Sequence, residues 1–265
     1  MLSREGLIEE SGRRGLPAGK LRGAAREYLQ ALTLQAFFGR KASGGMVFLG
    51  GTALRFGFDI SRFSEDLNFD ADIVSFASWK DLLDETAHEL SRYGLQVETR
   101  SREKGSLLAS DLRFSGFLQS YGLEAESNEK LRVKIEANRP EYALDASPRV
   151  LSAYGEMFPV RFASPGLMFA EKILALRARE QGRDIYDLFF MAGRRWAPRL
   201  DVLLARGVGS PADAAILERL RHWDEASLSR LAKKLEPFLF DPAQARLVAQ
   251  AGALLPPALE YLKSP

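Results

Sequence analysis

A short apolar run enclosed by glycines constrains the fold of this chain more than any other feature. The run, Met46–Leu49, follows one glycine pair and precedes a second, Gly50 and Gly51. Four apolar residues between turn-forming glycines are typical of a buried strand. Residues 52–58 then have the pattern of a short helix. A strand, a glycine turn and a helix in this order predict a mixed α/β core.

The next predicted strand, residues 63–72, carries polar groups at every second position. Because side chains alternate along a strand, Asp66, Asn68 and Asp70 share one face. Side chains two residues apart are about 6.5 Å apart along the backbone. Carboxylates at that spacing can converge on one Mg²⁺ or contact two ions about 4 Å apart. The alternative is a solvated edge strand whose charges oppose aggregation.

The glycine turn is a candidate phosphate site. Gly50 and Gly51 allow close approach of a ligand to the backbone, and a helix N-terminus offers unpaired N–H groups to an anion. Thr52 adds a hydroxyl donor. The alternative is a tight turn in which Thr52 is the N-cap of the helix.

A later predicted strand, residues 131–137, supplies a further carboxylate. Arg132, Lys134 and Glu136 fall on one of its faces. If this strand pairs beside the acidic strand, Glu136 is a third carboxylate near Asp66. The alternative is an exposed charged face.

Composition limits the kinds of site that are possible. Of the 265 residues, 46% are hydrophobic and 27% are charged, which is typical of a globular protein. The net charge of +2 does not by itself indicate a nucleic-acid-binding protein. There is no cysteine, and the two histidines, His88 and His222, are too few for a multi-histidine zinc centre. Any metal is therefore expected to be bound by oxygen.

Location and chain organisation are predicted from the apolar and helical patterns. No apolar run approaches the roughly 20 residues that span a bilayer, and the N-terminus lacks a secretory pattern, so we expect a cytoplasmic protein without membrane contact. Residues 1–16 are predicted to be a loose arm, and a helix is predicted from about residue 18 to 39. Ser164 and Pro165 predict a helix start, with a break at Gly182 and a new helix from Asp184. We expect an α/β unit over 1–160, a helical unit over 161–265, and a junction near 155–165.

The opening stretch and two later segments together resemble a known family. The first motif comprises Gly50, Gly51, Thr52, Ala53 and Leu54, followed by Arg62, Ser64 and Asp66. The second comprises Lys172 in FAEKILALRAR and Arg183, Asp184 and Asp187 in GRDIYDLFF. In this order, over roughly residues 20–195, they resemble the AbiEii/AbiGii toxin family. That family belongs to the nucleotidyltransferase superfamily related to DNA polymerase β.

The resemblance implies a fold and an activity. The fold would be a mixed β-sheet core flanked by helices, with a helical C-terminal domain that contributes Lys172 and Asp184 or Asp187 to the cleft. The activity would be Mg²⁺- or Mn²⁺-dependent transfer of a nucleoside monophosphate from an NTP to an acceptor. RNA, in particular tRNA, is the leading acceptor, and a protein is an alternative. The biological setting would be a toxin–antitoxin or phage-defence pair with a cognate antitoxin.

The resemblance also implies residue roles. Metal ligands would be Asp66, Asn68, Asp70 and Glu136, with Glu136 as a ligand or a general base. Nucleotide contacts would come from Gly50, Gly51, Thr52, Arg62, Ser64 and Lys172, where Arg62 or Ser64 would steady the loop or the phosphates. Asp184 and Asp187 would orient Lys172 or the base. The alternatives are a surface lysine at 172, and an N-cap at Asp184 with Asp187 in the first turn.

Asn68 departs from the family pattern, which has a second aspartate there. An amide oxygen can bind Mg²⁺ but supplies no charge. Either Asp66, Asp70 and Glu136 hold the metal, or the chain is a weakened or inactive member. Alternative functions are therefore a small-molecule nucleotidyltransferase and a catalytically silent binding protein. A set of arginines can hold an RNA acceptor or form a solvated face: Arg177, Arg179, Arg183, Arg194, Arg195 and Arg199.

Overall fold

The chain begins with a helix where the sequence predicts a loose arm. The computed structural model describes residues 1–72, 74–124, 129–209 and 211–263. In it, α1 (Arg4–Arg13) starts at Ser3, whose hydroxyl accepts a 3.1 Å hydrogen bond from the Gly6 N–H. Leu7 is fully buried. The expectation was wrong because one serine cap and one buried leucine hold this polar segment against the fold.

Within the described residues, seven strands form one mixed sheet, in the order β3-β4-β5-β2-β1-β7-β6. The strands are β1 (Met46–Leu49), β2 (Asp66–Ala71), β3 (Gln96–Lys104), β4 (Leu107–Ser115), β5 (Leu131–Asn138), β6 (Ala146–Ala153) and β7 (Glu156–Ala163). Central β2 is antiparallel to β1 and parallel to β5. The predicted α/β class is confirmed.

The last two strands were not predicted. The sequence places a junction at residues 155–165, but the chain forms β7 up to Ala163 there, and β7 lies parallel to β1. Pro148 in β6 and Pro159 in β7 weaken the strand pattern, since proline cannot donate a ladder hydrogen bond.

The α-helices account for most of the remaining described chain. They are α1 (Arg4–Arg13), α2 (Leu21–Phe38), α3 (Gly50–Phe58), α4 (Phe76–Arg92), α5 (Phe117–Ser120), α6 (Pro165–Ala178), α7 (Gly182–Gly193), α8 (Leu200–Ala205), α9 (Ala212–Leu220), α10 (Glu225–Leu235), α11 (Arg246–Ala249) and α12 (Ala251–Ala258). Short 3₁₀ segments connect several of them.

One face of the sheet is covered by α2 and α4. Phe37 of α2 stacks on Phe69 of β2 with a ring-centroid distance of 4.7 Å. Trp79 of α4 is fully buried, and its indole N–H donates to the Ser110 hydroxyl of β4 at 2.9 Å. Since Phe69 faces these helices, its neighbours Asn68 and Asp70 face the opposite side.

The chain divides into two compact units. The first comprises residues 1–59, 63–140 and 146–162, and contains most of the sheet. The second comprises residues 60–62, 141–145 and 163–265, and contains α6 to α12. The amino-acid composition does not indicate that the short segments 60–62 and 141–145 belong to the second unit.

Two helix starts in the second unit test the capping predictions. The Ser164 hydroxyl accepts a 3.1 Å hydrogen bond from the Leu167 N–H, so the predicted N-cap is confirmed. Helix α7 begins at Gly182, with Gln181 as its N-cap, so the alternative that Asp184 is the N-cap is wrong. A Cβ at Gly182 would lie 2.5 Å from the Leu231 carbonyl oxygen of α10, which explains the glycine.

Candidate active site

The glycine turn and the acidic strand are directly connected. The Thr52 hydroxyl donates a 2.6 Å hydrogen bond to the main-chain oxygen of Asp66. Gly50 has φ of +84°, and a Cβ there would lie 3.1 Å from the amide nitrogen of Asn68. Leu49, which precedes the turn, is the register partner of Asn68. The start of α3 is therefore packed against the polar face of β2.

Thr52 does not cap the helix. Leu49 occupies the N-cap position of α3, and no side chain forms a cap hydrogen bond within the described residues. The tight-turn alternative with Thr52 as N-cap is therefore wrong. Because the fully buried Thr52 hydroxyl is used by Asp66, a phosphate would be bound by the first backbone N–H groups of α3.

Strand β5 pairs beside the acidic strand, as the prediction for Glu136 requires. Asp66 is paired in register with Lys134, and Asn68 with Glu136. Register partners on neighbouring strands point to the same side of the sheet. The side chain of Glu136 is 18% exposed, so the alternative of an exposed charged face does not describe this position.

The carboxylates of this face do not gather into a three-carboxylate metal site. Among the described residues, no group of three or more His, Cys, Asp or Glu side chains is arranged to hold a metal ion. Glu136 Oε1 instead lies 2.6 Å from the ammonium of Lys134. Asp70 is 2% exposed, beside Asn138 in register. The alternative set of Asp66, Asp70 and Glu136 is thus not brought together here.

In the second unit, the predicted residues form an ion cluster of Arg62, Lys172, Arg179, Asp184 and Asp187. We call it the buried ion cluster because all of its members are buried except Arg179, whose side chain is 43% exposed. Arg62 is bidentate to Asp187, with two N–O distances of 2.6 Å. Lys172 Nζ lies 2.6 Å from Asp187 Oδ2 and 2.9 Å from Asp184 Oδ1. Arg179 is bidentate to Asp184. The surface-lysine alternative is wrong, because Lys172 is only 7% exposed.

Two members of the cluster, Asp184 and Arg62, have shifted pKa values. Burial by itself would raise the pKa of Asp184, but the charges of Lys172 and Arg179 and their hydrogen bonds outweigh it and hold that pKa well below its usual range. Burial opposes the charged form of Arg62 in the same way, yet Asp187 keeps the pKa of the guanidinium above its ordinary value. Three cations thus surround two carboxylates. The cluster has one surplus positive charge.

A family sequence model assigns the chain to a protein family. The sequence model of the family described as nucleotidyl transferase AbiEii toxin, type IV toxin–antitoxin system, matches residues 34–257. The chain belongs to this family. The resemblance found in the motifs is therefore confirmed, and the chain is a nucleotidyltransferase of the AbiEii toxin family.

Solved structures share the fold. One is a protein of H. pylori that is described as a predicted nucleotidyltransferase. Its structure has a TM-score of 0.55 and 20% sequence identity to this chain, and the match covers 91% of this chain and 96% of that protein. JHP933 from Helicobacter pylori has a TM-score of 0.51 and 19% identity, over 92% and 98%. MenT4, a nucleotidyltransferase toxin from Mycobacterium tuberculosis, has a TM-score of 0.50 and 19% identity, over 96% and 99%. At such identities the likeness shows the fold alone.

Among curated proteins, none matches this chain significantly. Of the helices formed by the described residues, none combines the length and the apolar character that crossing a membrane requires.

Sequence reasoning missed one residue that positions the AbiEii motif. The side-chain amide of Gln30, in α2, donates to the main-chain oxygens of Ser64 and Glu65, at 3.0 Å each. Gln30 is 1% exposed, so it fixes the backbone immediately before Asp66. The feature that could have revealed it in the sequence is the amide side chain of Gln30 between apolar residues of the predicted helix. The predicted phosphate contacts of Arg62 and Ser64 stay predictions, and the ion pair of Arg62 favours its loop-steadying role.

Four arginines of the set contact different partners. Arg179 joins the buried ion cluster, and Arg199 pairs with Asp201. Arg194 lies 3.9 Å from the ring centroid of Phe190, and Arg195 lies 5.4 Å from that of Tyr261. These arginines are therefore held by separate partners in the second unit.

Proposed function

We propose that this AbiEii-family protein transfers a nucleoside monophosphate from an NTP to an RNA acceptor, with a divalent metal ion, as the toxin of a toxin–antitoxin pair. The single observation that carries the proposal is the contact between the start of α3 and β2. Through Thr52 and Gly50, it places the helix N–H groups beside Asp66 and Asn68. A phosphate-binding helix end next to oxygen ligands is the arrangement that a metal-bound nucleotide requires.

The donor set fits one Mg²⁺ or Mn²⁺ ion. Asp66 supplies a carboxylate, and Asn68 on the same face supplies a neutral oxygen ligand. Mg²⁺ is often held by one or two carboxylates together with substrate phosphates. When bound, such an ion neutralises charge on the phosphates and on the leaving group.

The chain's own residues bind and orient the nucleotide. The first N–H groups of α3 donate to a phosphate, and Thr52 and Gln30 hold the backbone of β2 in place for Asp66. Lys172 is proposed as a triphosphate contact from the family resemblance, and Asp184 and Asp187 set its position. Glu136 stays a predicted ligand or general base.

An RNA acceptor is supported by two arginines on the same sheet face, Arg132, which is exposed, and Arg113, which is half-buried. Lys134 of β5 is the register partner of Asp66 on β2 and of Asp111 on β4. Arg132, two residues before Lys134, lies directly opposite Arg113. Arg132 lies 3.7 Å from Asp111 Oδ1, and a bound phosphate would be a second anionic partner for this pair of arginines. The Arg132 side chain is 56% exposed, which favours an anionic acceptor over a cationic small molecule.

The test is label transfer from each of the four NTPs to total RNA in the presence of Mg²⁺. The wild-type protein is compared with Asp66→Ala and with Asp81→Ala, an exposed aspartate on α4. We expect labelled RNA with wild type and Asp81→Ala, and none with Asp66→Ala. Label on protein alone would overturn the RNA acceptor. No label from any NTP would favour the silent binding protein that Asn68 suggests.

A second experiment tests the toxin assignment. Induced expression of wild type is expected to arrest growth, whereas Asp66→Ala expressed to the same level is not. Equal arrest by both would contradict toxicity through nucleotidyl transfer.

A further inference from the structure

We infer that Lys134 is a built-in cation of the active site, which supplies the charge of a second metal ion. One divalent ion, brought in with the nucleotide, is then sufficient. This inference rests on the proposed function and assigns a charge-supplying role to a residue that the motifs do not include.

The position of Lys134 in the sheet is the first argument. On one side it is the register partner of Asp66, and on the other side that of Asp111. Asp111 is 4% exposed, and its carboxylate already lies 3.4 Å from Arg102 and 3.7 Å from Arg132. Lys134 thus has a carboxylate on each neighbouring strand, on the face that carries Asn68.

The contact with Glu136 is the second argument. The ammonium lies 2.6 Å from Glu136 Oε1, and the two side chains are 23% and 18% exposed. A half-buried ion pair is screened less by salt than an exposed one. Glu136, the register partner of Asn68, therefore has a cation in place without any metal.

The charge balance is the third argument. Three carboxylates with two divalent ions have a net charge of +1. In this chain Asp66 and Glu136 contribute two negative charges, Asn68 none and Lys134 one positive charge. Asp111 is left out of this count because it pairs with two arginines, and Asp70 because it does not gather with Asp66 and Glu136 into a metal-binding group of the described residues. One divalent ion then restores the same net charge. The positive charge of Lys134 thus compensates for one missing metal ion, just as the neutral Asn68 compensates for one missing carboxylate.

The test counts Mn²⁺ ions bound to the protein with a non-hydrolysable NTP analogue, by electron paramagnetic resonance. We expect one ion per complex with the wild type and two with Asn68→Asp/Lys134→Met, which restores a carboxylate and removes the cation. Lys130→Met is the matched control, since Lys130 forms an exposed pair with Glu98, and it should keep one ion. Two ions on the wild type, or one on the folded double variant, would overturn the inference.

Activity gives a second readout. Lys134→Met alone should lower the rate of transfer at saturating nucleotide by about 100-fold, the cost of losing one electrostatic stabiliser. Adding Asn68→Asp should restore most of the rate, whereas a structural role for Lys134 predicts no rescue. The number of ions bound to the wild type is measured without any variant, so it tests the inference even if the double variant does not fold. This measurement also needs no turnover, so a failure of the inference can be distinguished from a failure of the proposed function.

Discussion

The hydroxyl of Thr52 donates to the main-chain oxygen of Asp66 at 2.6 Å, so one side chain joins the glycine turn at the start of α3 to strand β2. The two residues are 14 positions apart, and Thr52 is fully buried. A threonine that sequence logic assigns to helix capping or to a ligand is therefore used to align two elements. The alignment sets where Asp66 stands relative to the N-terminus of α3.

Thr52→Val tests this link. Valine has nearly the same shape but cannot donate, so the main-chain oxygen of Asp66 loses its 2.6 Å hydrogen bond from position 52. We expect a loss of about 1–3 kcal/mol in the free energy of unfolding, measured in urea. The transfer rate should fall further than the remaining folded fraction explains. Thr52→Ser keeps the hydroxyl and should retain most of the rate; equal rates for Val and Ser would argue against the link.

Gly50→Ala tests the close approach at the turn. Gly50 has a left-handed φ of +84°, and the new methyl group would lie 3.1 Å from the Asn68 amide. The backbone conformation alone costs roughly 1–3 kcal/mol for a residue with a side chain. We expect a lower Tm and weaker nucleotide binding. Gly12→Ala in α1, where a Cβ meets nothing within 4 Å, should leave nucleotide binding unchanged and the Tm equal or slightly higher, because alanine favours a helix more than glycine does. A normal Tm for Gly50→Ala would contradict the expectation.

The site in the first unit was largely predictable because it is local in sequence. Strand periodicity placed Asp66, Asn68 and Asp70 on one face, and the glycine pair marked the turn. The pairing of β5 with β2 was only a condition in the prediction, since periodicity does not identify a strand's neighbours. The ion pair between Lys134 and Glu136 could not be predicted either, because it depends on rotamers set by packing.

Long-range polar contacts explain most of what the sequence did not reveal. Local spacing makes Lys172 look like a lysine on an amphipathic helix, and only the family resemblance predicted that Asp184 and Asp187 of the next helix would orient it. Arg62 belongs to the first motif in sequence but is bound to Asp187, 125 residues away. Gln30 reaches the main chain 34 residues later. None of these partners follows from local spacing.

Asp187→Asn tests the buried ion cluster. Asp187 is fully buried and bonded to both Arg62 and Lys172, so the neutral amide would leave two cations poorly compensated. Breaking a buried pair in this way costs about 3–5 kcal/mol of unfolding free energy. Asp201→Asn removes a carboxylate that is 63% exposed from its pair with Arg199, and should cost under about 1 kcal/mol. Equal losses in urea unfolding would contradict the assigned difference in burial.

The same cluster predicts how stability depends on pH. The pKa of Asp184 in the folded protein lies below its ordinary value of 3.8, because Lys172 and Arg179 outweigh the effect of burial. Below about pH 4 the unfolded chain therefore binds a proton at this residue that the folded protein does not bind. The stabilisation is present above that pH and is lost as the pH falls towards the folded pKa. Urea unfolding from pH 7 to pH 3 should show this loss.

Asp184→Asn identifies the responsible group. The variant should be less stable than the wild type at pH 7, because Lys172 and Arg179 lose a buried counter-charge. Its unfolding free energy should then fall less steeply than that of the wild type between pH 4 and pH 3, since the amide does not titrate in this range. Asp81→Asn, at an exposed position of α4, should follow the wild-type curve. Parallel curves for wild type and Asp184→Asn would assign the acid sensitivity to other carboxylates.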